Sequence, residues 1–214
     1  MHRYSLSLVC VLCLFLCGTA CLPAKKQPAQ GQDTPSIASL LILPVDPVVS
    51  VKTDINAEKL NELRQGAVIM DELLNAYLTN LALPNLAFLE EQQFEGYIGA
   101  RTGTRLALGV TIAKEMAKDA VLSLRLSRFS ERRGAKYSAD SPASLAFEYK
   151  LIDTHSGAVL CGGTFDESQE ALFDNLFSFS GKKSFRWLPI REFAADALQE
   201  KLDGCAVLQA SRPR

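Results

Sequence analysis

The order in which strand-like and helix-like stretches follow one another constrains this chain more than any other feature. IASLLILPVDPV opens with an apolar run that reads as a buried strand over about 38–44, broken by Pro44 and Pro47. Asp54 or Asn56 is placed to cap a long helix reaching about Leu81. Its Leu60, Leu63, Ala67, Met70, Leu74, Tyr77 and Leu81 recur at helical spacing. Leu83-Pro84 ends it, and Leu86–Leu89 reads as a second short strand. The glycine-containing stretch FEGYIGARTGTR is a connector into a second helix over roughly 104–118. Strand signals then come back to back. Residues 119–129 form a strand whose later half alternates, Leu124, Leu126 and Arg128 against Arg125 and Ser127. ERRGAKYSADSP is a polar turn or loop. SLAFEYKLID and AVLCGGTFD make a hairpin across Asp153–Gly157, with Gly157 supplying positive φ. Two helical patterns close the chain. ESQEALFDNLFSF stops at Gly181, and PIREFAADALQEKL has Pro189 in its first turn and Gly204 where a left-handed cap belongs.

Strands separated by crossover helices should be parallel, and strands joined by a tight turn antiparallel. The pattern therefore predicts an α/β (α+β) fold. About five strands form one mixed sheet, an early parallel βαβ part followed by an antiparallel meander, with helices packed on it. One domain is expected over 37–206, with a disordered tail over 207–214.

The first twenty residues do not belong to that domain. Arg3 is followed by an apolar run from Leu6 to Leu16, then Gly18-Thr19-Ala20 ahead of Cys21. A basic tip, a short apolar run and a small-residue cleavage site are the parts of a secretory signal. The run falls short of the roughly 20 apolar residues of a membrane span. Residues 22–36, rich in Pro, Gln, Ala, Lys and Gly, lack the apolar side chains to fold and read as a flexible tether.

The order small-small-small-cysteine resembles the lipobox of bacterial lipoproteins. The resemblance implies cleavage before Cys21, diacylglycerol on its thiol and an acylated new amine, so that 1–20 is signal and 21–36 is lipidated cysteine plus tether. Gly18 departs from the leucine this family prefers, which leaves ordinary cleavage near Ala20 and an uncleaved anchor as alternatives. Leu22, where an aspartate would mark retention in the inner membrane, implies by the same resemblance the periplasmic face of the outer membrane.

Export frames the cysteines. Cys10, Cys13 and Cys17 leave with the signal, and Cys161 and Cys205 remain as an even pair in an oxidising compartment. They form either a disulfide between the sheet and the end of the last helix or two buried thiols that never meet. The formal charge of −1 becomes one unit more negative when Arg3 is removed, and no basic cluster points to nucleic acid.

No catalytic or metal-binding motif emerges. His155 lies in a predicted hairpin tip between Thr154 and Ser156, as turn residues do. One mature histidine and two distant cysteines give no zinc spacing. Gly96, Gly99 and Gly103 do not match a dinucleotide fingerprint, and Gly181–Ser184 lacks the earlier glycine of a P-loop. No cofactor is expected. Between 173 and 187, Phe173, Phe177, Phe179, Phe185 and Trp187 crowd more rings than one helix face can hide. They either plug the core or leave Phe177, Phe185, Arg186 and Trp187 as a contact surface.

LLILPVD, LAFLEE, KDAVLSLRLSRF and LIDTHSGAVLCGG, taken in order over about 38–203, resemble small α/β envelope lipoprotein domains. These include the curli-secretion-channel group, the penicillin-binding-protein activators and the amino-terminal domain of the Tol translocation protein. ERRGAKYSADSP is too short and polar for the membrane-spanning hairpins of the channel, which argues against a pore. The resemblance implies a lipid-anchored, non-enzymatic binding or assembly accessory whose partner is another envelope protein. The competing reading is an exported hydrolase with carboxylates such as Asp166 and Glu167 at a strand end.

Overall fold

The computed structural model describes residues 36–49, 57–134, 139–169 and 188–212. Its elements in chain order are β1 (Leu40–Ile42), β2 (Asp46–Pro47), α1 (Ala57–Asn80), β3 (Leu86–Phe88), α2 (Glu91–Ile98) and α3 (Arg105–Glu115). These are followed by β4 (Ala120–Ser130), β5 (Arg133–Gly134), β6 (Ala139–Ser141), β7 (Ser144–Asp153), β8 (Val159–Ser168), α4 (Ile190–Asp203) and α5 (Ala206–Ala210).

The sheet is mixed, in the order β3-β1-β4-β7-β8, with β2 also paired to β4. β1 lies parallel to β3 and β4, placing Leu40 beside both Leu86 and Ala120. β4, β7 and β8 run antiparallel. Parallel crossover strands followed by a meander is the expected class. The sheet holds six strands rather than five because Pro44 only interrupts the first one: Asp46 and Pro47 resume pairing, opposite Arg125 and Leu126. The loop expected at ERRGAKYSADSP also carries a small ladder of its own, β5 with β6.

Each face of the sheet is covered by different helices. Leu40, Ile42, Leu122, Leu124, Leu145, Phe147 and Leu151 pack into one core with Leu63, Met70, Leu74 and Leu78 of α1 and Ala194, Leu198 and Leu202 of α4. Leu41, Leu43, Val121 and Ile152 point the other way, onto Phe94 of α2 and Ile112 and Ala113 of α3. β1 is therefore buried on both sides, which is why it reads as a continuous apolar run. Burying each large aliphatic side chain contributes about 1.5–3 kcal/mol. The α1 stripe is centred on Leu63, Ala67, Met70, Leu74 and Leu78, while the expected members Leu60 and Tyr77 are half-buried flanks.

Five local expectations are corrected. The stretch before α3 is not a plain connector. Residues 91–98 are helical because Glu90 and Gln93 form a capping box, with the Glu90 N–H donating to Gln93 Oε1 at 3.0 Å. In β4 the register shifts between Leu126 and Arg128, so Phe129, not Arg128, is buried on the face of Leu124 and Leu126. One inserted residue reverses the alternation. Gly204 has φ −71, not a left-handed conformation, because the Cys205 N–H bonds back to Leu202 O at 3.0 Å and leads into α5. The expected tail from 207 is ordered through residue 212. Val207 and Leu208 are buried, and Ser211 Oγ accepts from the Ile37 N–H at 2.8 Å, tying the last helix to the start of the domain. Of the helix expected over 167–179, Glu167 and Ser168 belong to β8, and residues from 170 on lie outside the described residues.

Candidate functional site: the open face of the antiparallel strands

Among the described residues, α2 and α3 cover the second face of the sheet over β1, β3, the first residues of β4 and the last of β7. Beyond them β4 shows Arg125, β7 shows Glu148 and Lys150, and β8 shows Gly162, Thr164 and Asp166. These residues alternate with the buried positions of the same strands. Where this face meets α3 there is a cavity of about 290 Å³, lined by Asp46, Thr104, Arg105, Arg125, Glu148 and Lys150 among others.

The order of the elements explains the charges here. Thr104 caps α3, its hydroxyl accepting from the Ala107 N–H at 3.2 Å. Arg105 follows in the first helical turn, where a cation is disfavoured by the helix dipole. It is held there by Glu91, whose Oε1 accepts from Nη1 at 2.9 Å, by Pro44 O at 3.3 Å, and by the Phe94 ring 4.3 Å beneath its guanidinium. The arginine thus joins the ends of α2 and α3 to the end of β1 while forming one wall of the cavity. Across the floor, Arg125 lies 3.8 Å from Asp46 and 3.7 Å from Glu148, and Lys150 lies 2.7 Å from Glu148. Opposite charges alternate across three strands. The arrangement can exchange ion pairs with a polar surface.

Two carboxyl groups elsewhere are shifted. Asp71 of α1 accepts the Val45 N–H at 2.9 Å just beyond β1. Burial pushes its pKa up to about 6, with the Glu91 charge adding to the rise and the Val45 N–H and Arg105 opposing it. Asp153 at the hairpin tip is held below the usual carboxylate range by the backbone N–H and hydroxyl of Ser156, at 2.6 and 2.7 Å. The tip is a tightly bonded turn. Gly157 has φ 74, and the buried Thr154 hydroxyl donates to Lys118 O at 2.6 Å, while His155 is exposed.

Cys161 of β8 and Cys205 beyond α4 are disulfide-bonded, with Cα atoms 5.8 Å apart. Asp166 is an exposed residue paired with Arg128, and Glu167 lends its backbone carbonyl to the same arginine at 3.4 Å. Cys21, Phe177, Phe185, Arg186 and Trp187 lie outside the described residues. The sequence reading missed the face built from Arg105, Arg125, Glu148 and Lys150. The alternation in SLRLS and FEYKL carried part of the signal, but the cross-strand register that brings these charges together is not local information.

Fold and face together define a mixed α/β domain with helices on both sides of its parallel half and an open, charge-alternating surface on its antiparallel half. Among the described residues no group of three His, Cys, Asp or Glu side chains could hold a metal, and no helix is long and apolar enough to cross a membrane.

No protein-family model matches the chain, and no curated protein matches it. Three solved structures that are similar to it come from bacteria. The PelC dodecamer of Paraburkholderia phytofirmans is 13% identical at a TM-score of 0.44, covering 85% of this chain and 92% of that one. Lipoprotein GNA1162 of Neisseria meningitidis is 12% identical at 0.40, covering 78% and 98%. The LpoB C-terminal domain of Escherichia coli is 17% identical at 0.34, covering 65% and 90%. Scores of this size do not establish a common fold.

Proposed function

We propose that this chain is an exported lipoprotein, anchored through a lipid on Cys21 at the periplasmic face of the outer membrane. There it serves as a non-enzymatic binding or assembly accessory for another envelope protein. The observation that carries the proposal is the N-terminal order of Arg3, the apolar run Leu6–Leu16 and Gly18-Thr19-Ala20 directly before Cys21. A disulfide at Cys161–Cys205 supports it, since such bonds persist in exported rather than cytosolic proteins. Two or more acyl chains hold a protein firmly, because each buried methylene contributes about 0.8 kcal/mol. Residues 22–36 then give the domain reach, and the contact surfaces of this reading are the open charged face and the segment carrying Phe177, Phe185, Arg186 and Trp187.

The hydrolase reading loses its support at Asp166. This carboxylate is exposed and engaged by Arg128, an arrangement that does not exclude water.

The test is the intact mass of the membrane-extracted protein beside a Cys21→Ser variant. The expected result is the mass of residues 21–214 plus acyl groups, lost in the variant. An unacylated or uncleaved mass in the unaltered protein would overturn the lipid anchor.

A further inference from the structure

Pro44 interrupts the sheet at a buried point, and the peptide group joining Pro44 to Val45 is bonded by side chains. The ladder with β4 runs as far as the Leu43 N–H, on Leu122 O at 3.0 Å, and resumes where Asp46 pairs with Arg125. Pro44 and Val45 are buried, and a buried peptide group must find partners. Two helices on opposite faces of the sheet supply them. Asp71 of α1 accepts the Val45 N–H at 2.9 Å, and Arg105 Nη2 of α3 donates to Pro44 O at 3.3 Å. Both bonds fall on one trans peptide unit, whose N–H and C=O point in opposite directions. Beyond it, Nη1 and Nη2 of Arg105 donate to the two carboxylate oxygens of Glu91, and Glu95 lies 4.0 Å away. A continuous line thus runs from a carboxyl on α1, through the sheet, to a guanidinium in the wall of the cavity.

We infer that this line is a proton-operated link, in which the charge on Asp71 sets how firmly Arg105 is held in the cavity wall on the opposite face. A hydrogen bond to an ionised carboxylate is roughly twice as strong as one between neutral groups. A peptide whose N–H is so engaged has a more negative carbonyl, because hydrogen bonds in a chain polarise one another. Ionisation of Asp71 therefore tightens the bond from Arg105 to Pro44 O, and the same negative charge attracts the guanidinium directly. Proton uptake relaxes both effects and leaves Arg105 to Glu91 and the Phe94 ring. Burial raises the Asp71 pKa to about 6, so the change falls where an ordinary aspartate, at 3.8, is already ionised.

The charged neighbours fix the direction of the coupling. Glu91 on α2 raises the Asp71 pKa further, and Arg105 on α3 lowers it. Other charged side chains around this junction are engaged elsewhere among the described residues. Asp46, next to Val45, faces Arg125 of β4 at 3.8 Å, and Glu72 of α1 is bonded to Arg191 of α4 at 2.8 Å. Coupling of this kind is reciprocal: whatever ionised Asp71 adds to the hold on Arg105, Arg105 adds to the ionisation of Asp71. The link belongs to the folded domain and operates whether or not Cys21 carries a lipid.

NMR of the purified, isotope-labelled full-length chain between about pH 4 and 8 tests this. The Asp71 carboxyl carbon, the Val45 amide nitrogen, the Pro44 carbonyl carbon and the Arg105 Nε should titrate together with a midpoint of about 6. In Asp71→Asn, which keeps an acceptor for Val45, the Val45, Pro44 and Arg105 signals should stay flat over the same range. Arg105→Gln should raise the Asp71 midpoint by about half a pH unit or more, roughly a threefold gain in proton affinity. The parent curves decide the matter even where Arg105→Gln does not fold. An Arg105 signal that does not follow Asp71, a Pro44 carbonyl that stays still while Arg105 moves, or an unchanged midpoint in Arg105→Gln would overturn the inference. So would signals that still titrate together in Asp71→Asn.

Discussion

Removing the Cys161–Cys205 cross-link should cost this domain as much stability as truncating a large core side chain. The bond spans 44 residues of sequence and joins the edge strand β8 to the residue that begins the last helix. In the chain-entropy account, closing a loop of that length restricts the unfolded chain by about 4 kcal/mol at 25 °C, between the values for loops of roughly 15 and 100 residues. Cys205 is 1% exposed, so serine there would add a buried hydroxyl. The Cys161→Ala/Cys205→Ala double variant isolates the link better. With a urea slope of about 2 kcal/mol/M, the expected loss lowers the unfolding midpoint by about 2 M, and dithiothreitol should shift the parent by a similar amount while leaving the variant unmoved. Thiol titration of denatured, unreduced protein, carried out on the chain from Leu22 onward, whose only cysteines are Cys161 and Cys205, should detect neither of them. Coincident midpoints for parent and double variant, or two titratable thiols, would refute the reasoning.

Three further outcomes follow from particular contacts. Asp71 binds its proton more tightly folded than unfolded, its pKa being about 6 against an ordinary 3.8. Its contribution to stability is therefore full below about pH 4 and is lost as pH rises through 6, up to about 3 kcal/mol in all. Asp71→Asn keeps an acceptor for Val45 and should raise pH 7 stability by about 1–2 kcal/mol while flattening urea midpoints between pH 4 and 7. Gly66→Ala and Gly109→Ala should each destabilise by about 1–3 kcal/mol despite better helix propensity. A Cβ would meet the Phe129 ring at 2.4 Å in the first and Leu43 at 2.2 Å in the second, and thermal melts will read the loss. Thr154→Val should cost about 1–2 kcal/mol in chemical denaturation, because the Lys118 carbonyl loses its buried hydroxyl donor while Asp119 O keeps the residue-154 N–H.

What the sequence made legible was whatever a single element decides for itself. The period of α1, the alternation of β7 and the positive φ at Gly157 are local, and so were readable. The misses share a physical cause. The bulge at Ser127 depends on how β4 meets β7, and nothing in SLRLSRF alone says that Phe129 rather than Arg128 turns inward. Val207 and Leu208 look like the end of a chain until Ser211 is seen holding Ile37, 174 residues away. α2 was the exception, since Glu90 and Gln93 state its capping box locally. The charged face was legible as polar positions but not as a site. Arg125 finds Asp46 and Glu148 only through the pairing of β4 with β2 on one side and β7 on the other.

That pairing also fixes where the domain can be approached. The described chain enters at Ile37 and Ala38, beside Ser211 and Asp119, at the end of the sheet where β4 begins. The hairpin tip closes over the same end, with the Thr154 N–H donating to Asp119 O. Arg125 lies five residues further along β4, about 17 Å from Ala120 at the usual rise of a strand. The cavity therefore opens toward the far end, among the C-terminal ends of the parallel strands and the N-terminus of α3. The parallel half is sealed by helices on both faces, so its side chains serve cohesion. Among the described residues the antiparallel half is packed against helices on one face, and the charge pattern of Arg125, Glu148 and Lys150 lies on the other. A partner seated on the charged face would touch Arg125 and Lys150 and would leave the helix-covered faces, and so the two cores, undisturbed.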